Sequence, residues 1–298
     1  MEVGTQQIFL SKPDVTLHVR REDLIHPNIP GNKFRKLKYN LLQAKADGLT
    51  TLLTFGGAFS NHIAAVAAAG KEHNFNTIGV IRGDELEGQS LNPTLRFAVE
   101  NGMRLVFVSR DEYRQKDDPD YLALVRKRFG AVYVIPEGGT NALAVKGCEE
   151  ILGEADLDFD YICCAVGTGG TISGIINSST DQQQVLGFPA LKGDFLQSAI
   201  ADYTTGTNWK LIYEYNFGGY GKVDEDLIVF MNNFNDQYDV PLDPVYTGKM
   251  FYGVMDLIQK NHFPEGSRIL LIHTGGLQGI QGMNELLQSK NLPLIDYR

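Results

Sequence analysis

The stretch TLLTFGGAFSNHIAAVAAAGKEHN, residues 51–74, is a β-branched and aromatic run that breaks at two glycines and continues as an alanine-rich helical pattern. A strand that feeds a helix through glycine is half of a βα unit. The rhythm recurs: NTIGVIRGDE (76–85) precedes NPTLRFAVENG, RLVFVSR (104–110) precedes DPDYLALVRKRFG, and AVYVIPEGG (131–139) precedes NALAVKGCEEILGEA. Further on, YICCAV (161–166) enters GTGGTISGII, and RILLIHTGG (268–276) leads into a last helix. Strands alternating with helices specify an α/β fold, a parallel sheet with helices packed on its faces. Breaks near residues 37 and 138 isolate residues 37–138 as a small α/β domain. The chain then returns, so that residues 1–36 and 139–298 form a larger one.

The 298 residues, 43% of them hydrophobic, suffice for one large unit or two ordinary domains. A net charge of −9 repels phosphate, which argues against nucleic acid and against an anionic membrane as partners. No apolar run approaches the roughly 20 residues that span a bilayer, and MEVGTQQIFL lacks the regions of a signal peptide. Cys148, Cys163 and Cys164 have no metal-ligand spacing and read as small core residues of a reducing compartment. The expectation is a cytoplasmic protein without a metal.

Four segments could carry chemistry. GTGGTISG (167–174) follows a strand and opens a helix, whose free N–H groups suit a phosphate. It is neither GxxxxGK[ST] nor GxGxxG, and such a turn taken alone is more often a structural corner than a site. Ser60, Asn61 and His62 stand together at the start of the helix in the opening stretch. One of them is the expected helix cap, and His62 alone would be a structural histidine, yet three polar residues at a strand's carboxyl edge point to a ligand crevice. PVYTGKM (244–250) and HTGG (273–276) offer Tyr246 and Thr274, each explicable singly as packing or capping. GNKFRKLKYN (31–40) carries Lys33, Arg35, Lys36 and Lys38, of which the last three read as a solvated helix surface.

Taken together, GNKFRKLKYNLL, GGxxSNH, IRG, PEGGTNALAVKG, VGTGGT, GGYG, DPVYTGK and HTGG resemble the pyridoxal-phosphate enzymes of the 1-aminocyclopropane-1-carboxylate (ACC) deaminase and D-cysteine desulfhydrase family. The resemblance runs from about Arg21 to Gly279. It implies the two-domain, three-layer parallel-sheet fold of the tryptophan synthase β-like enzymes (fold type II), a homodimer, a small amino-acid substrate and pyridoxal 5'-phosphate as cofactor. By resemblance, Lys33 forms the Schiff base with the cofactor and later acts as the base at Cα. Gly167, Thr168, Gly169, Gly170 and Thr171 match the phosphate cup, Asn61 the amide that bonds the ring hydroxyl, and Thr274 the residue facing the pyridine nitrogen. Ser60, Asn61 and His62 match positions around the substrate carboxylate, Ser60 also handling protons. Tyr220 and Tyr246 match two tyrosines that flank the substrate, and Thr247 follows the second.

The family divides by reaction. Ring-openers typically carry Glu after the second tyrosine and Leu in H-x-GG, where this chain has Thr247 and Thr274, and Gln in place of His62. That pattern implies α,β-elimination from D-cysteine through aminoacrylate to pyruvate, ammonia and sulfide, with ACC ring opening to 2-oxobutyrate as the alternative. The chain departs from the family pattern in two places. Residues 177–202 read as short and polar, and the helix after SNH lacks an arginine that members often carry, which leaves another D-amino acid or a β-substituted alanine open as substrate. Two other classes compete: a nucleic-acid module using the basic run, which the net charge opposes, and a protein that binds the cofactor without turnover.

Overall fold

A computed structural model describes residues 3–10 and 14–297. Among them the strands are β1 (Thr5–Ile8), β2 (Thr16–Arg20), β3 (Thr51–Gly56), β4 (Asn76–Arg82), β5 (Met103–Val108), β6 (Tyr133–Ile135), β7 (Tyr161–Val166), β8 (Gln184–Pro189), β9 (Trp209–Leu211) and β10 (Arg268–Ile272). The helices are α1 (Asn32–Ala46), α2 (Asn61–His73), α3 (Pro93–Glu100), α4 (Arg110–Tyr113), α5 (Pro119–Phe129), α6 (Ala142–Cys148), α7 (Gly170–Ser178), α8 (Phe195–Ala201), α9 (Glu225–Tyr238), α10 (Thr247–Gln259) and α11 (Ile280–Ser289). The strands form two sheets, one of six in the order β1-β2-β10-β7-β8-β9 and one of four in the order β5-β4-β3-β6. Every pairing is parallel except β1 with β2, which is antiparallel. The α/β class with parallel sheets is therefore as the sequence rhythm predicts.

Parallel strands joined by helical crossovers are covered on both faces, so their sequences run apolar without interruption. YICCAV shows the consequence. Cys163 packs with Leu186, Leu271 and residues of α9 and α10 on one face, while Cys164 packs with Val185, Leu270 and α7 on the other. Both thiols are fully buried and unpaired, as is Cys148. In the four-stranded sheet Leu52, Ile81 and Ile135 meet α1 and α2, whereas Leu53, Phe55 and Val80 meet α5.

Two features differ from the sequence expectation. Residues 177–202 are not a polar interruption: they contain β8, buried from Val185 to Pro189, and α8, which buries Leu196 and Ile200. The glycine and proline in QVLGFP conceal a core strand from a propensity reading. The basic stripe of α1 is also not a solvated face. Arg35 and Lys36 are 4% and 2% exposed, and only Lys38 reaches water, paired with Glu150. Arg35 makes a bidentate pair with buried Glu22, at 2.9 Å and 2.8 Å. Desolvating both charges is tolerable because the two are joined by a bidentate pair of charge-assisted hydrogen bonds.

The sheets meet through a short loop ahead of α1. Gly31 has φ +67°, and its N–H donates to the Glu22 carbonyl at 2.9 Å. The next amide, of Asn32, donates to the Thr274 carbonyl just past β10 at 3.2 Å. A Cβ on Gly31 would lie 1.9 Å from that carbonyl oxygen. No side chain fits, since the obstacle is backbone and the φ is one that L-residues avoid. A second close approach follows at Gly147, where a Cβ would lie 2.0 Å from the Arg35 carbonyl and push α6 off α1. Gly31→Ala is expected to destabilise the fold by about 3 kcal/mol, combining backbone strain with a collision that only main-chain movement relieves. Chemical denaturation of the variant beside the parent checks this.

Candidate active site

A cavity of about 270 Å³ opens where four strand ends converge. Asn61 follows β3, Gly138 follows β6, Gly167 follows β7 and Thr274 follows β10, each at the carboxyl end, and all four residues line the cavity. That is where open parallel sheets bind ligands. Of the residues singled out by sequence, Lys33, Asn61, Gly167, Thr168, Gly169, Thr171, Tyr246 and Thr274 are on the wall. Ser60, His62, Gly170, Tyr220 and Thr247 lie off it.

Lys33 is the second residue of α1, set by the Gly31 contact. Its Nζ donates to Asn32 Oδ1 at 3.2 Å, and Asn32 Nδ2 donates to Thr171 Oγ1 at 2.8 Å. One amide thus ties the lysine to the start of α7. Burial, then the neighbouring Lys36 charge, lower the Lys33 pKa from 10.5 to about 7. Lys36 Nζ donates to the Gly138 carbonyl at 3.1 Å and to Thr140 Oγ1 at 2.9 Å, with Thr168 Oγ1 at 3.5 Å. Its partners are neutral, and burial lowers its pKa as well. The sequence reading missed Lys36 because a lysine one turn past another looks like a surface stripe. Its burial comes from α6 and the Gly138 turn packing over α1, which spacing does not reveal.

The α7 helix starts at Gly169 with φ +87° and no side-chain cap. Like α1, α8, α10 and α11 it lacks the side-chain cap that Ser60, Asn92, Asp118, Asn141 and Asp224 give α2, α3, α5, α6 and α9. The free N–H groups of α7 open beside Lys36 and two threonine hydroxyls, a donor set suited to an anion.

Across the cavity, Asp243 organises the turn before α10. Its Oδ1 accepts the N–H groups of Val245, Tyr246 and Thr247, and its own N–H donates to Thr247 Oγ1 at 2.8 Å. Thr247 is fully buried in this turn and its hydroxyl faces the Asp243 backbone, away from the cavity. Burial raises the Asp243 pKa to about 7 against these hydrogen bonds. Tyr246 packs its ring on Gly167, where a Cβ would lie 3.0 Å from it, and burial holds its phenol protonated, well above 10. Tyr220 is 46% exposed and stands edge-on to Tyr246, ring centroids 6.1 Å apart. Its loop is held by Lys249 Nζ, which donates to the carbonyls of Asn216 and Gly219.

The SNH triplet divides three ways. Ser60 Oγ caps α2 through the Ile63 N–H at 3.4 Å. His62 is 2% exposed and turns inward to Thr54, Nε2 to Oγ1 at 2.8 Å. Since the Thr54 hydroxyl donates to the Ile135 carbonyl, it accepts from His62 Nε2–H. Burial and the two lysines push the His62 pKa well below 6.5, so the ring is neutral. Asn61 alone reaches the cavity, with Oδ1 accepting from Gln278 Nε2. Gln278, on the wall just past HTGG, carried no sequence signal, because a lone glutamine two residues after a motif matches no pattern.

Among the described residues, no helix is long and apolar enough to cross a membrane, and no cluster of His, Cys, Asp and Glu could hold a metal. A family model described as "Pyridoxal-phosphate dependent enzyme" matches residues 6–275. A Pyrococcus horikoshii protein provisionally named 1-aminocyclopropane-1-carboxylate deaminase is 32% identical, over 88% of this chain and 85% of that protein. The bifunctional D-cysteine desulfhydrase/1-aminocyclopropane-1-carboxylate deaminase of Arabidopsis thaliana is 30% identical, over 89% of this chain and 73% of its own. A crystal structure described as an ACC deaminase homologue superposes with a TM-score of 0.84 at 27% identity, covering 97% of this chain and 94% of that one.

The cavity fits that cofactor. Lys36, Thr168, Thr171 and the uncapped α7 N–H groups would hold the phosphate, and Lys33, neutral above about pH 7, would hold the aldehyde. Cofactor-free protein is expected to take up pyridoxal phosphate at a rate that rises with pH through a midpoint near 7, as Lys33 loses its proton. Stability should follow the same group. Between about 7 and 10.5 the unfolded lysine binds a proton that the native one does not, so the cofactor-free chain gains stability as pH rises across that window. Lys36→Met is expected to weaken cofactor retention about tenfold or more, read by dialysis and visible absorption.

Proposed function

The chain belongs to the pyridoxal-phosphate dependent enzymes, and from that premise we propose α,β-elimination with deamination of a small D-amino acid, D-cysteine giving pyruvate, ammonia and sulfide. The observation that carries the substrate choice is Thr274. It is on the wall and 8% exposed, and the family resemblance gives it the position facing the pyridine nitrogen. When bound, pyridoxal phosphate supplies an aldehyde that condenses with amines and an electron sink for a carbanion at Cα. With threonine at 247, where ring-openers carry Glu, and a hydroxyl at 274, where they carry Leu, that sink lacks a charged partner from either position, which suffices for a substrate with both an acidic Cα hydrogen and a good leaving group on Cβ.

The residues divide the remaining work. Lys33 Nζ, unprotonated above about pH 7, takes the Cα proton. Tyr246 remains a phenol and keeps a proton to give, and its role in this reading is to protonate the departing sulfur. Asn61 presents an amide at the cavity and orients the cofactor hydroxyl without adding charge, while Ser60, off the wall, fixes the start of the helix that carries it. Tyr220, edge-on to Tyr246, is the second tyrosine this reading sets beside the substrate. His62 acts from behind the wall through the position of α2.

One observation favours ACC ring opening as the second reading. The buried Asp243 carboxylate lies behind Gly276, where a Cβ would meet its Oδ2 at 2.5 Å, giving the wall an ionisable group that a demanding ring opening could use. The same reading carries a homodimer and a cytoplasmic setting in which the three free, buried thiols stay reduced. It also divides the chain into 1–36 with 139–298 and 37–138, supported by a four-stranded sheet that lies wholly between Thr51 and Ile135.

A substrate panel tests the proposal: pyruvate release from D-cysteine, D-serine and β-chloro-D-alanine, beside 2-oxobutyrate from ACC. D-cysteine is expected to be the best substrate. Turnover of ACC alone would favour the second reading, and no turnover of any would leave a protein that only binds the cofactor. Lys33→Ala should lose both activity and the visible band of the lysine-bound cofactor. Thr274→Leu should keep the band and lower kcat/KM for D-cysteine about a hundredfold.

A further inference from the structure

The wall beside Asn61 holds a hydrogen-bonded chain that ties α3, α2 and the loop after β10 together. Thr94 Oγ1, on α3 and 1% exposed, donates to Gln278 Oε1 at 3.2 Å. Gln278 Nε2 then donates to Asn61 Oδ1. An amide whose oxygen is taken in this way must turn its NH2 the other way. The backbone around it agrees. The position of a Cβ on Gly279 would be nearest Asn61 Oδ1, at 3.7 Å, while one on Gly276 would meet Asn61 Nδ2 at 3.0 Å and Asp243 Oδ2 at 2.5 Å. The NH2 of Asn61 therefore lies on the side of the buried carboxylate, which would repel an amide oxygen placed there.

We propose that Gln278 is a positioning residue: it locks the Asn61 side chain with its NH2 edge toward the cavity, so that Asn61 can act only as a donor to the cofactor's phenolic oxygen. This rests on the cofactor-binding role of Asn61 given above. An unlocked amide has two orientations differing by a half turn, one offering a donor and the other an acceptor. An acceptor facing a phenolic oxygen forfeits the hydrogen bond and sets two oxygens against each other. Thr94 extends the lock. Because α3 packs on the four-stranded sheet and Gln278 follows the last strand of the six-stranded one, the amide is oriented only when both sheets are in place.

The test uses substrate-free holoenzyme and reads the visible absorption and emission of the lysine-bound cofactor, which report how its phenolic oxygen is hydrogen-bonded. Asn61→Ala sets the reference displacement. Gln278→Met, which keeps length and shape without polar atoms, is expected to move the band in the same direction by roughly half as much or more, and to move it no further in the Asn61→Ala background. Thr94→Val should move it in the same direction by less. A merely structural role would lower the melting temperature without moving the band. The inference is overturned if Asn61→Ala moves the band and Gln278→Met does not, or if Gln278→Met moves it equally with and without Asn61. If Asn61→Ala itself leaves the band in place, the role of Asn61 and the inference built on it fall together.

Discussion

The contact between Gly31 and the Thr274–Gly275 backbone governs the site. It brings residue 31 against residue 274 so closely that a single added carbon has no space, and it forces a left-handed turn one residue before α1 begins. Lys33 leaves α1 in its first turn, so its direction is set by where that turn is pinned. Asn32 carries the constraint to α7 and Glu22 carries it to Arg35. The lysine is thus held by three separate parts of the chain before any ligand arrives, the kind of preorganisation a reacting amine requires.

The electrostatics of the wall follow from that placement. Arg35 is buried with its own carboxylate, whereas Lys33 and Lys36 are buried beside one another with amide, hydroxyl and carbonyl partners. Two neighbouring amines in a low-dielectric wall favour losing a proton, and Lys33 sits poised near neutrality. The uncapped start of α7 adds a third source of positive potential. An isolated fold gains nothing from this arrangement; in the proposed reading a phosphate would be met by Lys36 and the start of α7, and an aldehyde by Lys33. The cost in stability marks the function, as strained and desolvated groups in active sites commonly do.

Much of this was legible beforehand. Glycine-bounded apolar runs announced the parallel strands, because burial on both faces leaves little freedom of composition. GNK, GTGGT and HTGG were legible because glycine at close backbone contacts has no substitute. Side-chain destinations were not. Arg35, Lys36 and Lys38 occupy one short run, and one finds a buried carboxylate, one the cavity and one the solvent. Thr247 and Thr274 look alike in sequence, yet the first is turned into its own loop and the second faces the cavity. Ser60, Asn61 and His62 are consecutive, and helical geometry sends them to a cap, the cavity and the core.

By itself the sequence determined the α/β class, the family and the cofactor, and it singled out Lys33 as the residue proposed to hold that cofactor. These depend on local backbone requirements and on burial patterns that a linear chain displays. Only the tertiary structure decided which polar side chains face the cavity and in what protonation state. It buried Lys36, neutralised His62, withdrew Thr247 and recruited Gln278. Each outcome depends on groups more than a hundred residues away in several cases, such as Gly138 against Lys36 and Asn61 against Gln278. Desolvation and hydrogen-bond direction are properties of the assembled neighbourhood, and no spacing within one segment encodes them.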